Sequence, residues 1–196
     1  MNDQSIYGSP ILYLATRSPR RRELLEQIGV RYQLVDVDVD ENPRSAEPAH
    51  DYVLRVARDK ALQAHARLPP DARVLAADTS VVLDGVILGK PENSEHALHM
   101  LRSLAGKTHQ VLTAVALCTT TCETRISESQ VQFRSISDDE LRAYIATGEP
   151  MDKAGAYAIQ GRAAVFIEHL QGSYSGVMGL PLFEVAQLLA GQQSAC

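Results

Sequence analysis

The sequence predicts an α/β protein built on a mixed sheet, and three observations carry that reading. Short apolar runs of strand length alternate with segments of helical periodicity. An Asp84-Gly85 pair between apolar stretches marks a tight hairpin, and so at least one antiparallel pairing. No repeat or low-complexity tract interrupts the alternation. With 196 residues the chain is long enough to bury a real core, and one domain over 1–196 is expected, with flexible tails at 1–10 and 191–196.

The elements follow in order. Ile11 to Ala15 is an apolar run suited to a buried strand, and the turn Thr16 to Pro19 leads into a helix through Ile28. Ser18 stands at the N-cap, Pro19 at the first helical position and Gly29 at the stop. Tyr32 to Val37 alternates as a second strand before the acidic loop DVDENPRS. Pro48 to Leu68 has apolar residues at helical spacing (Tyr52, Val53, Val56, Ala57, Ala61, Ala64) and ends at Pro69-Pro70. Arg73 to Leu83 and Val86 to Leu88 are the hairpin strands, and Asn93 to Leu104 is a helix closed by Gly106. Val111 to Leu117 and Ser129 to Phe133 read as strands separated by a polar turn. A helix capped by Ser137 runs to Thr147, Val165 to Leu170 is a strand, and a closing helix begins after Pro181.

Composition narrows the function classes. Net charge of -5 argues against nonspecific attraction to nucleic acid or an anionic membrane, so a polyanionic ligand must meet a local cluster of cations. Aromatic residues make up only 5% with no Trp, which leaves few stacking platforms for bases. No apolar stretch is long enough to span a bilayer and no signal-peptide pattern opens the chain, so a cytoplasmic location is expected. The odd set Cys118, Cys122 and Cys196 does not resemble a disulfide framework, and CTTTC lacks the further ligands that zinc needs.

Five places carry possible chemistry. Ser18-Pro19-Arg20-Arg21-Arg22 puts three cations at a helix N-terminus, where the macrodipole is already positive. Either an anion such as a polyphosphate relieves that repulsion, or the run is a solvated basic turn costing ~0.3–1 kcal/mol per exposed charge. Asp78 interrupts a strand, and a carboxylate there needs a cation, a metal or hydrogen bonds unless it is a strand-end Asp. Lys90 follows the hairpin and returns towards the same end of the sheet. Lys60 borders the apolar face of the long helix, where a lysine often only snorkels. Glu41 lies in the acidic loop as a ligand for a hard cation or a solvated charge. The histidines form no HExxH pair, and neither GxxxxGK[ST] nor GxSxG occurs, which favours metal-assisted attack of water on phosphorus.

Taken together, LATRSPRRRELL, DENP, ADTSVVLDGVILGKP, DKAGAYAIQG and GSYSGVMGLP resemble the Maf family of nucleotide pyrophosphatases in order and spacing, from Leu12 to about Leu189. The resemblance implies a two-lobed fold, similar to inosine triphosphate pyrophosphatases, with an extended mixed sheet, a central cleft and frequent homodimerisation. It implies cleavage between the α and β phosphates of a nucleoside triphosphate with a divalent cation: Mg2+, Mn2+ or Co2+. Asp78 then becomes the general base or metal-linked carboxylate, with Asp152 as the fallback, and Glu41 the second acidic site residue. Arg21, Lys60 and Lys90 neutralise the triphosphate, and Ser18 contacts phosphate. Thr16-Arg17 and Ser175-Gly176 depart from the family's usual residues at their positions.

Arg20, Thr79 and Gln160 resemble the dTTP/UTP branch, whereas the sibling branch, similar to enzymes acting on 7-methylguanosine triphosphate, has Trp, Gln and Glu there. A Gln both donates and accepts towards a uracil or thymine edge, whereas a Glu only accepts. The alternatives are a non-catalytic nucleotide-binding regulator of septum formation and an inosine triphosphate pyrophosphatase.

Overall fold

The computed structural model describes residues 11–191. The expected tails therefore lie outside the described residues, except Gly191, which ends the last helix. Seven described strands form one mixed sheet in the order β2-β1-β3-β5-β6-β7, with β4 on β3. Their ranges are β1 Leu12–Ala15, β2 Tyr32–Val35, β3 Arg73–Leu83, β4 Val86–Leu88, β5 Thr108–Cys118, β6 Cys122–Phe133 and β7 Ile167–Gln171. β1 runs parallel to both β2 and β3, and the remaining pairings are antiparallel. The helices are α1 Pro19–Gln27, α2 Ala49–His65, α3 Ser94–Leu104, α4 Asp138–Ile145, α5 Tyr174–Met178 and α6 Leu182–Gly191.

Local chemistry sets the ends of these elements. Pro19 opens α1, but Ser18 makes no side-chain capping bond; its backbone N–H instead donates to Thr16 Oγ1 at 3.1 Å. α3 is capped by Asn93 and α4 by a capping box of Ser137 and Glu140. Asp84 and Gly85 both have positive φ (50° and 80°), as a two-residue hairpin turn between β3 and β4 requires.

The apolar faces bury on both sides of the sheet. α2 covers one face through Val53, Val56, Ala57 and Ala61 against Val74, Ala76, Ala114 and Ala116. α1 and α6 cover the other through Leu24, Leu25, Val185 and Leu188 against Leu75, Ala77, Val115 and Leu117. A third cluster gathers α3 and α4 around Val81, Leu83, Val111, Phe133, Tyr157 and Phe166, forming the second lobe at the far end of β3. Among the described residues, no helix is long and apolar enough to cross a membrane.

Three expectations are corrected. The polar stretch after Leu117 is strand: β5 and β6 continue until Cys118 faces Cys122, because alternate residues of β6 are exposed and need no apolar side chain. That register brings the two Cα atoms to 4.0 Å and the cysteines form a disulfide, contrary to the reading from their number. In addition, Arg162–Phe166 is a 3-10 turn and β7 starts only at Ile167.

Candidate active site

A long central strand changes partners in mid-course, and the cleft opens there. β1 pairs with Arg73–Ala76 and β4 with Val81–Leu83 along one edge of β3. Between them, Ala77, Asp78, Thr79 and Ser80 are paired only on the other edge, to Val115, Ala114, Thr113 and Leu112 of β5. The two-lobed shape thus leaves a break in the sheet with Asp78 at its centre. Around the break lies a cleft of about 470 Å³, within the range of small-molecule sites.

All but one of the site residues singled out from the sequence border this cleft. The β1–α1 turn brings Ser18, Arg20 and Arg21; α2 brings Lys60; β3 brings Asp78 and Thr79. Glu41 arrives on the acidic loop, Lys90 beyond β4, and Gln160 from the segment after α4. Asp152, the fallback carboxylate, also borders it, whereas Arg22 does not.

Charge is concentrated on Lys60. Its Nζ lies 2.8 Å from Asp78 Oδ1 and 2.9 Å from Glu41 Oε1. Asp78 is only 6% exposed. Burial raises its pKa above the ordinary carboxylate value, and the opposing pull of Lys60 and Arg21 only partly offsets this. At the half-open Glu41 the balance reverses: partial burial disfavours the charge, yet Lys60 above all, then Lys90 and Arg21, hold its carboxyl below the ordinary value. Tyr52 fixes the Glu41 loop by donating its hydroxyl to Glu41 O at 2.7 Å. Arg55 ties the same loop to α2 through Glu47 and the Asn42 carbonyl.

Arg21 is aimed by its neighbours. Its Nε donates to Gly179 O at 2.8 Å and its Nη2 to Thr79 Oγ1 at 3.2 Å. Burial lowers its pKa from the ordinary value, against the pull of Asp78. Behind Thr79, the fully buried Thr113 donates to Gly176 O at 2.7 Å and lies 3.1 Å from Thr79 Oγ1. The hydroxyl of Thr79 is therefore engaged with Arg21 and Thr113.

Several cleft residues were not picked out from the sequence. Arg17 pairs with Asp36 at 2.6 Å on the rim, and Lys153, mostly buried, pairs with the exposed Asp152. Tyr157 borders the cleft and meets the buried His109 at 2.8 Å. A hydroxyl inside the apolar run VLTAVAL was the available signal for Thr113; Lys153 and Tyr157 lie within DKAGAYAIQG without a residue-level signal of their own.

Among the described residues, no group of three or more His, Cys, Asp or Glu side chains is arranged to hold a metal ion. Glu41 and Asp78 supply two convergent carboxylates, both now held by Lys60. Such a pair suits a hard cation that takes its remaining ligands from phosphate oxygens and water.

Residues 11–192 match the family described as Maf-like protein. The dTTP/UTP pyrophosphatase of Alkalilimnicola ehrlichii is 57% identical over 185 residues, covering 92% of this chain and 92% of that protein. The protein of the same name from Methylococcus capsulatus is 56% identical over 179 residues, covering 91% and 89%. The Ham1 protein of Staphylococcus aureus shares the fold, with a TM-score of 0.51 at 14% identity over 95% of this chain and 100% of that one. With a family match from end to end of the described residues and relatives identical at more than half of the aligned positions, the chain belongs to the Maf-like family.

Proposed function

We propose that the chain hydrolyses dTTP and UTP, and modified pyrimidine triphosphates of the same shape, to the nucleoside monophosphate and pyrophosphate. The observation that carries the reading is the buried Asp78 carboxylate facing Lys60 and Arg21 in one cleft, in a chain 57% identical to a dTTP/UTP pyrophosphatase. Glu41 and Asp78 would hold a divalent cation, Mg2+, Mn2+ or Co2+. Bound there with the triphosphate, that cation supplies charge neutralisation and polarisation of phosphoryl oxygens.

The side chains divide the remaining work. Asp78 takes a proton from water as the water oxygen bonds to the α-phosphorus. The bond from that phosphorus to the bridging oxygen breaks, and pyrophosphate departs with the electron pair. Asp78 is buried in the cleft with its carboxylate oriented by Lys60 Nζ at 2.8 Å, as a positioned base requires. Lys60, Lys90 and Arg21 balance charge on the phosphates, and Ser18 contacts a phosphate at the positive end of α1. Arg20, Thr79 and Gln160 define the base side, where Gln160 both donates to and accepts from a uracil or thymine edge.

The test is product analysis of purified protein with a panel of nucleoside triphosphates and Mg2+ or Mn2+. Equal amounts of monophosphate and pyrophosphate from dTTP and UTP are expected. Release of single phosphate, preference for dITP, or nucleotide binding without turnover overturns the proposal.

A further inference from the structure

Glu149 opens a 3-10 turn at the end of α4, outside the cleft lining. Its carboxylate nevertheless reaches back to the segment that carries Gln160. The Arg162 N–H is shared between Glu149 Oε1 at 3.0 Å and Oε2 at 3.1 Å, and the Tyr144 hydroxyl donates to Oε1 at 3.0 Å. Tyr144 is itself buried in the second lobe, so the carboxylate is fixed at one end by the core and at the other holds a peptide two residues from Gln160.

Gly161 makes the fit specific. A Cβ added there would lie 2.2 Å from Glu149 Oε1 and 2.5 Å from its Cδ, so any side chain at 161 displaces either the carboxylate or the loop. The backbone of Gly161, with φ -100°, is open to any residue; the constraint is the close approach of Glu149. Gln160 itself is exposed in the cleft; buried Ile159 and the Gly161 N–H bond to Ala158 O at 3.0 Å hold the chain on one side of it, and Glu149 holds it on the other.

We infer that Glu149 is a positioning residue for base recognition: it sets where Gln160 stands, without touching the nucleotide. The inference rests on the reading of Gln160 as the residue that meets the pyrimidine edge. A charge-assisted bond to a peptide N–H is strong enough to hold a loop, and small misplacement of a recognition group is costly.

The experiment compares wild type with Gln160→Ala, Glu149→Ala, Glu149→Gln and Gly161→Ala, measuring kcat and KM for dTTP and dCTP together with Tm. Gln160→Ala should raise KM for dTTP and narrow the preference over dCTP. Glu149→Ala and Gly161→Ala should do the same, with KM up about tenfold and kcat within about twofold of wild type. Glu149→Gln should restore most of the preference, because its amide oxygen still accepts from Arg162 and Tyr144. Folded Glu149→Ala or Gly161→Ala with wild-type KM and preference, or with lower Tm and kcat at unchanged KM, overturns the inference while leaving the function intact. An unchanged preference in Gln160→Ala overturns it together with the reading of Gln160. Should Glu149→Ala not fold, Gly161→Ala decides.

Discussion

Lys60 Nζ and Asp78 Oδ1 lie 2.8 Å apart with both side chains about nine-tenths buried, so the Asp78 carboxylate has its closest cationic partner in Lys60. Asp78 is also the carboxylate best placed to accept a proton in the cleft. Asp78→Asn keeps the shape and the hydrogen bond but removes the base. Turnover of dTTP should fall on the order of 100-fold or more with the fold retained, measured by pyrophosphate release and circular dichroism. Near-normal turnover would transfer the role to Asp152.

The same pair predicts a stability coupling. Removing one partner of a buried ion pair leaves an uncompensated charge, so Lys60→Met should destabilise the protein by about 3 kcal/mol. Adding Asp78→Asn to that variant should return part of the loss, since the buried carboxylate that Lys60 had paired is then removed. Urea unfolding of the two single variants and the double variant measures the interaction. Additive losses would show that the two side chains do not share their charge.

Lys90 separates charge balance from folding. It is exposed and makes no ion pair with a buried group among the described residues, yet it contributes to holding down the Glu41 carboxyl. Lys90→Ala should therefore lower kcat/KM for dTTP by about tenfold or more with little change in Tm. Wild-type kcat/KM would return Lys90 to the solvated surface.

Thr113 tests how Arg21 is held. Thr113→Val keeps the volume but removes the hydroxyl bond to Gly176 O, which retains the Gly179 N–H at 2.9 Å, and takes away the Thr113 contact of Thr79 Oγ1. A cost of about 0.5–1.5 kcal/mol is expected for the lost hydrogen bond. KM should rise as Arg21 loses its fixed aim, which kinetic assays with dTTP would detect. Unchanged KM at lowered stability would confine Thr113 to packing.

Much of this arrangement is legible in the sequence because it rests on local rules. β3 ends where Asp84-Gly85 turns, and α2 follows its apolar spacing up to the Pro69-Pro70 breaker. The first part of β6, before Ser129, escaped because Glu123 and Arg125 share one face with Ser127 and Ser129 while Thr124 and Ile126 share the other with Glu128 and Gln130, so neither face shows an apolar row. The disulfide followed from that missed register, since only a tight hairpin sets Cys118 opposite Cys122. The gathering of Glu41, Lys60, Asp78 and Lys90 depends on where β1 leaves β3 and β4 joins it. No local spacing encodes that exchange of partners: the Asp84-Gly85 hairpin brought Lys90 back towards Asp78, but only the family resemblance joined Glu41 and Lys60 to them beforehand. Glu149 and Thr113 act through other residues, and a carboxylate in GEPMD carries no mark of the peptide it will bind.

The last prediction concerns pH and a group remote from the phosphates. His109 is 2% exposed, its Nε2 lies 2.8 Å from the Tyr157 hydroxyl, and its Nδ1 has no partner among the described residues. Phe133 and Tyr157 stand edge-on to its ring, so the site accommodates a neutral imidazole. Burial pushes its pKa from the ordinary 6.5 down to about 4. The unfolded chain therefore binds a proton here below pH 6.5, while the folded protein refuses it until about pH 4. Stability from this residue is fully present above pH 6.5 and is lost as pH falls through that window, by about 2 kcal/mol between pH 7 and pH 5. His109→Gln offers Tyr157 an acceptor without titrating, so its unfolding free energy should fall by about that much less over the same interval. Urea denaturation of both proteins at pH 7, 6 and 5 gives the comparison, in which the other titrating groups cancel. Parallel pH profiles would mean that His109 takes up its proton in the folded protein as readily as in the unfolded chain, and that the buried ring is not held neutral.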